Sequence, residues 1–292
     1  MNAAAFDLAD AVAYGRWRDE KLKNRPNGLT ELTIEIGDIE DLRPAEKAAL
    51  AACLERANMV IYAETRPRPG RDDKQALASL GRAFGLTRLD RNHLADDDAI
   101  TALAVARDGV RARYIPYTER PIAWHTDGYY NQPQARVRGL ILHCARPAAV
   151  GGENRLMDPD LLYIALRERD PALIAALMQG DAMTIPGNDD EGMRRPAMTG
   201  PVFFVDQGRL SMRYTARTRS IQWREDEGVQ AAALAIGDIL DGGGADILIG
   251  GLQAGMGLLC NNVLHTRERF TDDPARPRLL YRARYHDRIV ST

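Results

Sequence analysis

The 292 residues include 45% apolar and 27% charged side chains, the make-up of a folded globular protein rather than a disordered or fibrous one. A formal net charge of −2 excludes any general pull toward nucleic acid or anionic membranes. Three cysteines, Cys53, Cys144 and Cys260, are an odd number without C-x-x-C spacing, which argues against a disulfide framework or a structural zinc site. Asp7 and Asp10 interrupt the first apolar stretch, and no apolar run approaches the ~18 residues of a membrane span, so a cytoplasmic location is expected.

In chain order, Phe6, Ala9, Ala13 and Trp17 recur at helical spacing with charges between them. They predict an amphipathic helix over residues 3–23 that packs on the main body or on a partner chain. Residues 32–36 alternate as a short strand does. A helix opens at 41–46, with Pro44 near its first turn, and runs to about 58. Residues 59–62 read as a buried strand, 66–73 as a mobile Arg- and Pro-rich loop, and 75–84 as a helix stopped by Gly85.

From about residue 113 the pattern changes to short apolar runs between Gly and Pro turns. Strands are expected at 114–117, 137–144, 202–205, 247–249, 258–261 and 279–285. Many short strands in one region suggest a double-sheet jelly roll. One helix, at about 160–179, interrupts them. The expected fold class is α+β, a single domain over 1–292. It comprises an N-terminal helical extension (1–30), an α/β flanking segment (31–112) and a jelly-roll core (113–292).

The chemistry concentrates in Trp124-His125-Thr126-Asp127. In an extended segment, residues two apart project to one side, so His125 and Asp127 can aim an imidazole and a carboxylate at one point. A lone His-x-acid pair turns up about once by chance in a chain with five histidines and 41 acidic residues, and a surface hydrogen bond is the competing reading. The best third ligand is His265, in Asn261-Asn262-Val263-Leu264-His265-Thr266-Arg267, just after an apolar strand. His143 lies in an apolar run and reads as a satisfied core residue; His93 and His286 lie in polar, loop-like settings. Two histidines and a carboxylate are the ligand set of non-haem Fe(II) oxygenases. Strand alternation over 278–285 puts Arg278, Arg282 and Arg284 on one face. If that face is interior it calls for an anionic partner, such as a dicarboxylic cosubstrate; otherwise it is simply solvated.

These motifs together resemble the Fe(II)/2-oxoglutarate-dependent dioxygenases of the taurine dioxygenase group, relatives of clavaminate synthase and gamma-butyrobetaine hydroxylase. The resemblance spans most of the chain, including Leu80-Gly81-Arg82-Ala83-Phe84-Gly85, Gly151-Gly152-Glu153-Asn154, Leu264-His265-Thr266-Arg267 and Arg278 to Arg282. It implies a double-stranded β-helix core and an enzyme in which His125, Asp127 and His265 bind Fe(II). Arg278 is then the partner of the far carboxylate of 2-oxoglutarate, Arg282 lies near cosubstrate or substrate, and Asn154 stands where relatives usually carry Thr or Ser.

The implied reaction uses O2, releases succinate and CO2, and hydroxylates an unactivated C–H bond of a small polar metabolite. Halogenating relatives lack the carboxylate that Asp127 supplies. Tyr129, Tyr130 and Asn131, beside the metal motif, and Arg213, Tyr214 and Arg217, after a later strand, are candidate substrate residues. Segments 66–73 and 186–201 have the composition of lids. The partners expected are a small-molecule substrate and no nucleic acid or membrane, and a homo-oligomer is compatible with the sequence. The alternative reading is a jelly roll that binds a metal or small ligand without turnover.

Overall fold

Alternation along the strand Met59–Glu64 sends Val60 and Tyr62 to one face of a sheet and Met59 and Ile61 to the other. Its neighbours follow suit: Leu259 and Ile141 join the first face, Leu258, Cys260 and Leu140 the second. The resulting six-stranded sheet has the order Thr33–Ile36, Met59–Glu64, Met256–Cys260, Gly139–Arg146, Leu279–Tyr285, Ile100–Leu103. Its first pair is parallel and the remaining pairs are antiparallel. The computed structural model describes residues 3–91, 95–190, 193–217 and 221–289.

Among the described residues there are six α-helices: α1 (Ala11–Asn24), α2 (Pro44–Ala57), α3 (Asp73–Ala83), α4 (Pro159–Arg169), α5 (Pro171–Leu177) and α6 (Glu227–Gly242). The first face of the sheet is covered by α2 and α3 through Leu50, Leu54, Leu77 and Leu80. On the second face the apolar cluster continues into Leu156 and Leu248 of a four-stranded antiparallel sheet. That sheet is ordered Leu248–Gly250, Asn154–Met157, Leu264–Arg267, Ile122–His125. A further cluster joins α4, α5 and α6 to the hairpin of Phe203–Asp206 and Arg209–Met212. The architecture is thus mixed α+β, with the smaller sheet carrying the candidate site.

Several elements depart from the sequence expectation for local reasons. The single helix expected at 3–23 is a 3-10 turn at Ala3–Phe6 followed by α1, because the Asp10 carboxylate accepts the Ala13 N–H at 2.8 Å and starts the helix there. The helix expected at 160–179 is two. Pro171 cannot donate to a continuing ladder, and Asp170 caps the second helix by accepting the Ala172 N–H at 2.8 Å. Residues 115–117, expected as strand, form a 3-10 turn containing Pro116. Helix α6 was not expected at all, although Asp226 caps it and Val229, Ala232, Ala235, Ile236 and Leu240 form its buried face.

The N-terminal helix packs on the main body. Phe6, Trp17 and Tyr163 form an edge-to-face group with centroids 5.0–6.0 Å apart. The Lys21 ammonium lies 2.6 Å from Asp158 and 2.8 Å from Asp160, and Asn58 donates its amide to the same two carboxylates at 3.0 and 2.9 Å. Loop 66–73 is anchored by Arg71, whose buried guanidinium bonds Asp38 at 3.0 Å and also Glu64 and Asp73. All three cysteines are free and buried. No helix among the described residues is long and apolar enough to cross a membrane.

Candidate metal centre

In the smaller sheet His265 and His125 are direct cross-strand partners, their ring centroids 4.2 Å apart. Each imidazole turns its Nδ1 to the carbonyl two residues back, His125 to Ala123 and His265 to Val263, both at 2.9 Å. A carbonyl only accepts, so Nδ1 carries the proton and each Nε2 keeps a free lone pair. Asp127 follows the end of the same strand. One ligand atom from each of His125, Asp127 and His265 lies within 4.8 Å of the others, close enough for a single ion. Burial, and then the neighbouring His265, push His125 down to about 3, keeping it neutral as a metal ligand must be.

Asp127 is buried and held from several sides. Asn262 accepts the Asp127 N–H at 2.8 Å and donates to the Asp127 carbonyl at 2.9 Å and the Val137 carbonyl at 2.8 Å. Gly128 takes φ +67, and a Cβ there would stand 2.6 Å from Val137, so the turn after Asp127 requires glycine. Burial opposes ionisation of Asp127, but the Arg282 guanidinium at 3.1 Å and Arg284 at 3.7 Å outweigh it and hold the carboxyl well below its usual range.

The arginine-bearing face of strand Leu279–Tyr285 is interior: Arg278 is 6% exposed and Arg284 3%. That rules out the solvated reading. Arg284 pairs with Asp90 at 2.5 Å and donates to the Tyr130 hydroxyl at 3.1 Å, while Arg282 pairs with Asp127. Arg278 differs. Its guanidinium lies over the Phe270 ring at 4.8 Å, and among the described residues it makes no hydrogen bond or ion pair. Burial lowers its pKa and outweighs the opposing charge of Asp272, which makes no ion pair with it.

The other sequence-derived candidates divide sharply. The Asn154 amide donates to the Thr266 carbonyl at 2.6 Å, crosslinking two strands next to His265. Asn131 donates to the Ala135 carbonyl at 2.8 Å and closes a turn. Arg213 gives all five of its donors to the carbonyls of Pro201, Tyr129, Met198, Met183 and Gly200, at 2.6–3.4 Å, which leaves none for a substrate. Tyr214 is a core residue, and burial pushes its hydroxyl up to about 12. Tyr129 and Tyr130 stack edge-to-face at 5.2 Å, and the Arg217 charge lies near the Tyr129 hydroxyl. His143 is a satisfied core residue, its Nδ1 3.0 Å from the Tyr62 hydroxyl. His93 lies outside the described residues. Sequence reasoning missed Asn262 and Thr215. The available signals were the Asn-Asn pair just before His265 and the position of Thr215 at the end of a strand run.

Residues 20–284 match the family described as "Taurine catabolism dioxygenase TauD, TfdA family". The chain belongs to that family and is therefore a 2-oxoglutarate-dependent non-haem iron dioxygenase, with iron and 2-oxoglutarate as its cofactors. It is 33% identical over 203 residues to a uridine-5'-phosphate dioxygenase of Streptomyces sp, a stretch covering 64% of this chain and 70% of that one. Its fold is similar to asparagine oxygenase in complex with Fe(II), 2S,3S-3-hydroxyasparagine and succinate (TM-score 0.63, 14% identity, 83% of this chain and 79% of that one). It is also similar to the non-heme iron oxygenase OrfP in complex with Fe and alpha-ketoglutaric acid (TM-score 0.58, 17% identity, 86% of each chain).

Proposed function

We propose that His125, Asp127 and His265 bind Fe(II), that Arg278 receives the far carboxylate of 2-oxoglutarate, and that the enzyme hydroxylates an unactivated C–H bond of a small polar metabolite. One O2 and one 2-oxoglutarate are consumed, and one hydroxylated product, one succinate and one CO2 leave. The likeness to a uridine-5'-phosphate dioxygenase makes a nucleoside 5'-phosphate the favoured substrate class. The observation that carries this reading is Arg278, a buried guanidinium with no ion pair or hydrogen bond among the described residues, on the strand face whose Arg282 touches Asp127.

Bound iron with 2-oxoglutarate and O2 supplies the oxidising power. The chain supplies the rest. Two neutral imidazoles and one ionised carboxylate form a three-point donor set that leaves coordination positions for ligands. Arg278 orients the cosubstrate through a bidentate carboxylate contact, and the buried setting strengthens that contact by excluding water. Arg282 and Arg284 offset the charge of Asp127. Asn154 remains a candidate neighbour of the cosubstrate through the part of its amide that Thr266 does not occupy.

We read the two sheets as the double-stranded β-helix of this family within one domain over 1–292. Their shared apolar cluster supports this, as does the contribution of segment 31–112 to the larger sheet.

The test is succinate formation from 2-oxoglutarate by the purified protein, with and without Fe(II) and with and without uridine 5'-phosphate. Iron-dependent succinate that rises on adding the nucleotide is expected, together with loss of iron binding in His265→Ala. An iron-loaded protein that forms no succinate under any condition would overturn the catalytic reading and favour a ligand-binding role.

A further inference from the structure

The arginines around the candidate centre can be accounted for one by one. Arg282 and Arg284 are matched by Asp127 and Asp90. Arg213 and Arg267 are consumed by main-chain carbonyls, Arg267 by those of Ile115, Pro116, Thr118 and Arg120. Arg195 rests on the Tyr130 ring and donates to the Pro186 and Pro196 carbonyls. Arg136 lies over the Phe204 ring at 3.9 Å, and Arg278 and Arg217 have neither a carboxylate nor a set of carbonyls among the described residues. The reaction proposed above brings two anionic molecules, the cosubstrate and a phosphorylated substrate. Arg278 is taken by the first.

The path of the chain brings Arg217 to the centre. Segment 214–216 runs alongside strand Ile122–His125: Thr126 N–H donates to the Tyr214 carbonyl at 3.0 Å, Ala216 N–H donates to the Trp124 carbonyl at 2.8 Å, and Thr215 bridges His125. Directly opposed residues put their side chains on the same face. Thr215 therefore lies beside the His125 imidazole, which in turn faces His265. Two residues on, the Arg217 N–H donates to the Thr215 hydroxyl at 3.3 Å, turning the chain there. The side chains of Thr215 and Arg217 both lie close to the Tyr129 hydroxyl, two residues past Asp127. Arg217 is exposed while Thr215 is fully buried, so the cation stands at the mouth of the site and the hydroxyls lie inside.

We infer that Arg217, with the hydroxyls of Thr215 and Tyr129, forms the subsite that binds the phosphate monoester of the substrate. A guanidinium meets two phosphate oxygens at once, and the neighbouring hydroxyls can donate to the remaining oxygen. This assignment rests on the proposed function and adds to it the residue that selects a phosphorylated over a neutral substrate.

The test compares equilibrium binding of uridine 5'-phosphate and of uridine to the full-length wild-type protein, Arg217→Gln and Arg217→Lys. Loss of a charge-assisted contact in Arg217→Gln is expected to weaken nucleotide binding about 10–100-fold while uridine binding stays within about threefold, with Arg217→Lys between. Equal loss for both ligands would mark a folding effect and overturn the inference. So would undiminished nucleotide binding in Arg217→Gln, or a wild-type protein that binds neither ligand. In that last case iron-dependent succinate formation without any substrate, measured on the wild type, keeps the dioxygenase reading standing. Its absence would mean that reading has failed instead.

Discussion

Asn262 grips the Asp127 peptide from both ends, accepting its N–H at 2.8 Å and donating to its carbonyl at 2.9 Å. Asn262 itself sits at φ +52, a left-handed conformation that Asn tolerates better than most residues. It fixes where the Asp127 carboxylate starts without touching the carboxylate. Asn262→Ala is expected to weaken Fe(II) affinity about 10–100-fold, the usual cost of losing a group that orients a ligand. An iron titration of Asn262→Gly separates this from backbone strain, since glycine relieves the strain but not the lost clamp. Wild-type affinity in the glycine variant would rule the clamp out.

Arg278 gives a prediction in which stability and binding move in opposite directions. An unpaired buried cation costs folding energy, so Arg278→Met should leave the thermal midpoint unchanged or raise it. The same change should weaken 2-oxoglutarate binding about 10–100-fold. Calorimetric titration of the cosubstrate and a melting curve on one sample check both arms. A large drop in midpoint with unchanged 2-oxoglutarate binding would make Arg278 a structural residue.

Acid stability should depend on Glu46. The side chain of Arg43 first, and then the backbone N–H groups of Arg43 and Gly37, hold the Glu46 carboxyl at about 2 against the opposing effect of burial. A depressed folded-state pKa stabilises the protein above the ordinary value of 4.5, and that contribution is lost as pH falls from there through about 2. Glu46→Gln should cost about 1 kcal/mol at pH 7, the scale of a helix-cap loss, and should flatten the stability curve between pH 5 and 2. Urea unfolding across that range is the measurement.

Gly257 faces Tyr62 at close quarters. A Cβ there would lie 2.2 Å from the tyrosine hydroxyl and 2.7 Å from the Leu142 carbonyl. Because Tyr62 is fully buried and bonded to His143, the ring has little room to yield. Gly257→Ala should therefore destabilise the protein by about 1–3 kcal/mol or more, read as a lower urea midpoint with unchanged slope.

Much of the centre was legible in the sequence because it depends on short-range geometry. His125 and Asp127 are two apart on extended chain, and His265 follows an apolar strand, so their chemistry and spacing survive without coordinates. The arginine row was legible as alternation, but its bookkeeping was not. That Arg282 and Arg284 meet Asp127 and Asp90 while the Arg278 guanidinium pairs with no carboxylate among the described residues depends on pairings 155 residues apart and more. Arg213 shows the same limit. A buried arginine that braces five carbonyls and one that binds an anion look alike in sequence, since the carbonyls have no residue identity.

The fold followed a similar divide. Strands with clear alternation were found within a residue or two, as at Leu279–Tyr285 and Gly139–Arg146. Helix breaks set by one capping carboxylate, at Asp10 and Asp170, were missed, because helical spacing runs on smoothly through them. Helix α6 was missed because its small alanines make a weak apolar stripe, although its burial against α4 and α5 is extensive.

The register that sets His265 against His125 has a consequence for how iron is loaded. Since His265 and His125 are paired by the hydrogen-bonded register of two strands, the spacing of the two imidazoles is expected to persist when the metal is removed. A chelator should then strip the iron from a chain that keeps its shape, and reloading should be quick and reversible, as for a socket that outlasts its plug.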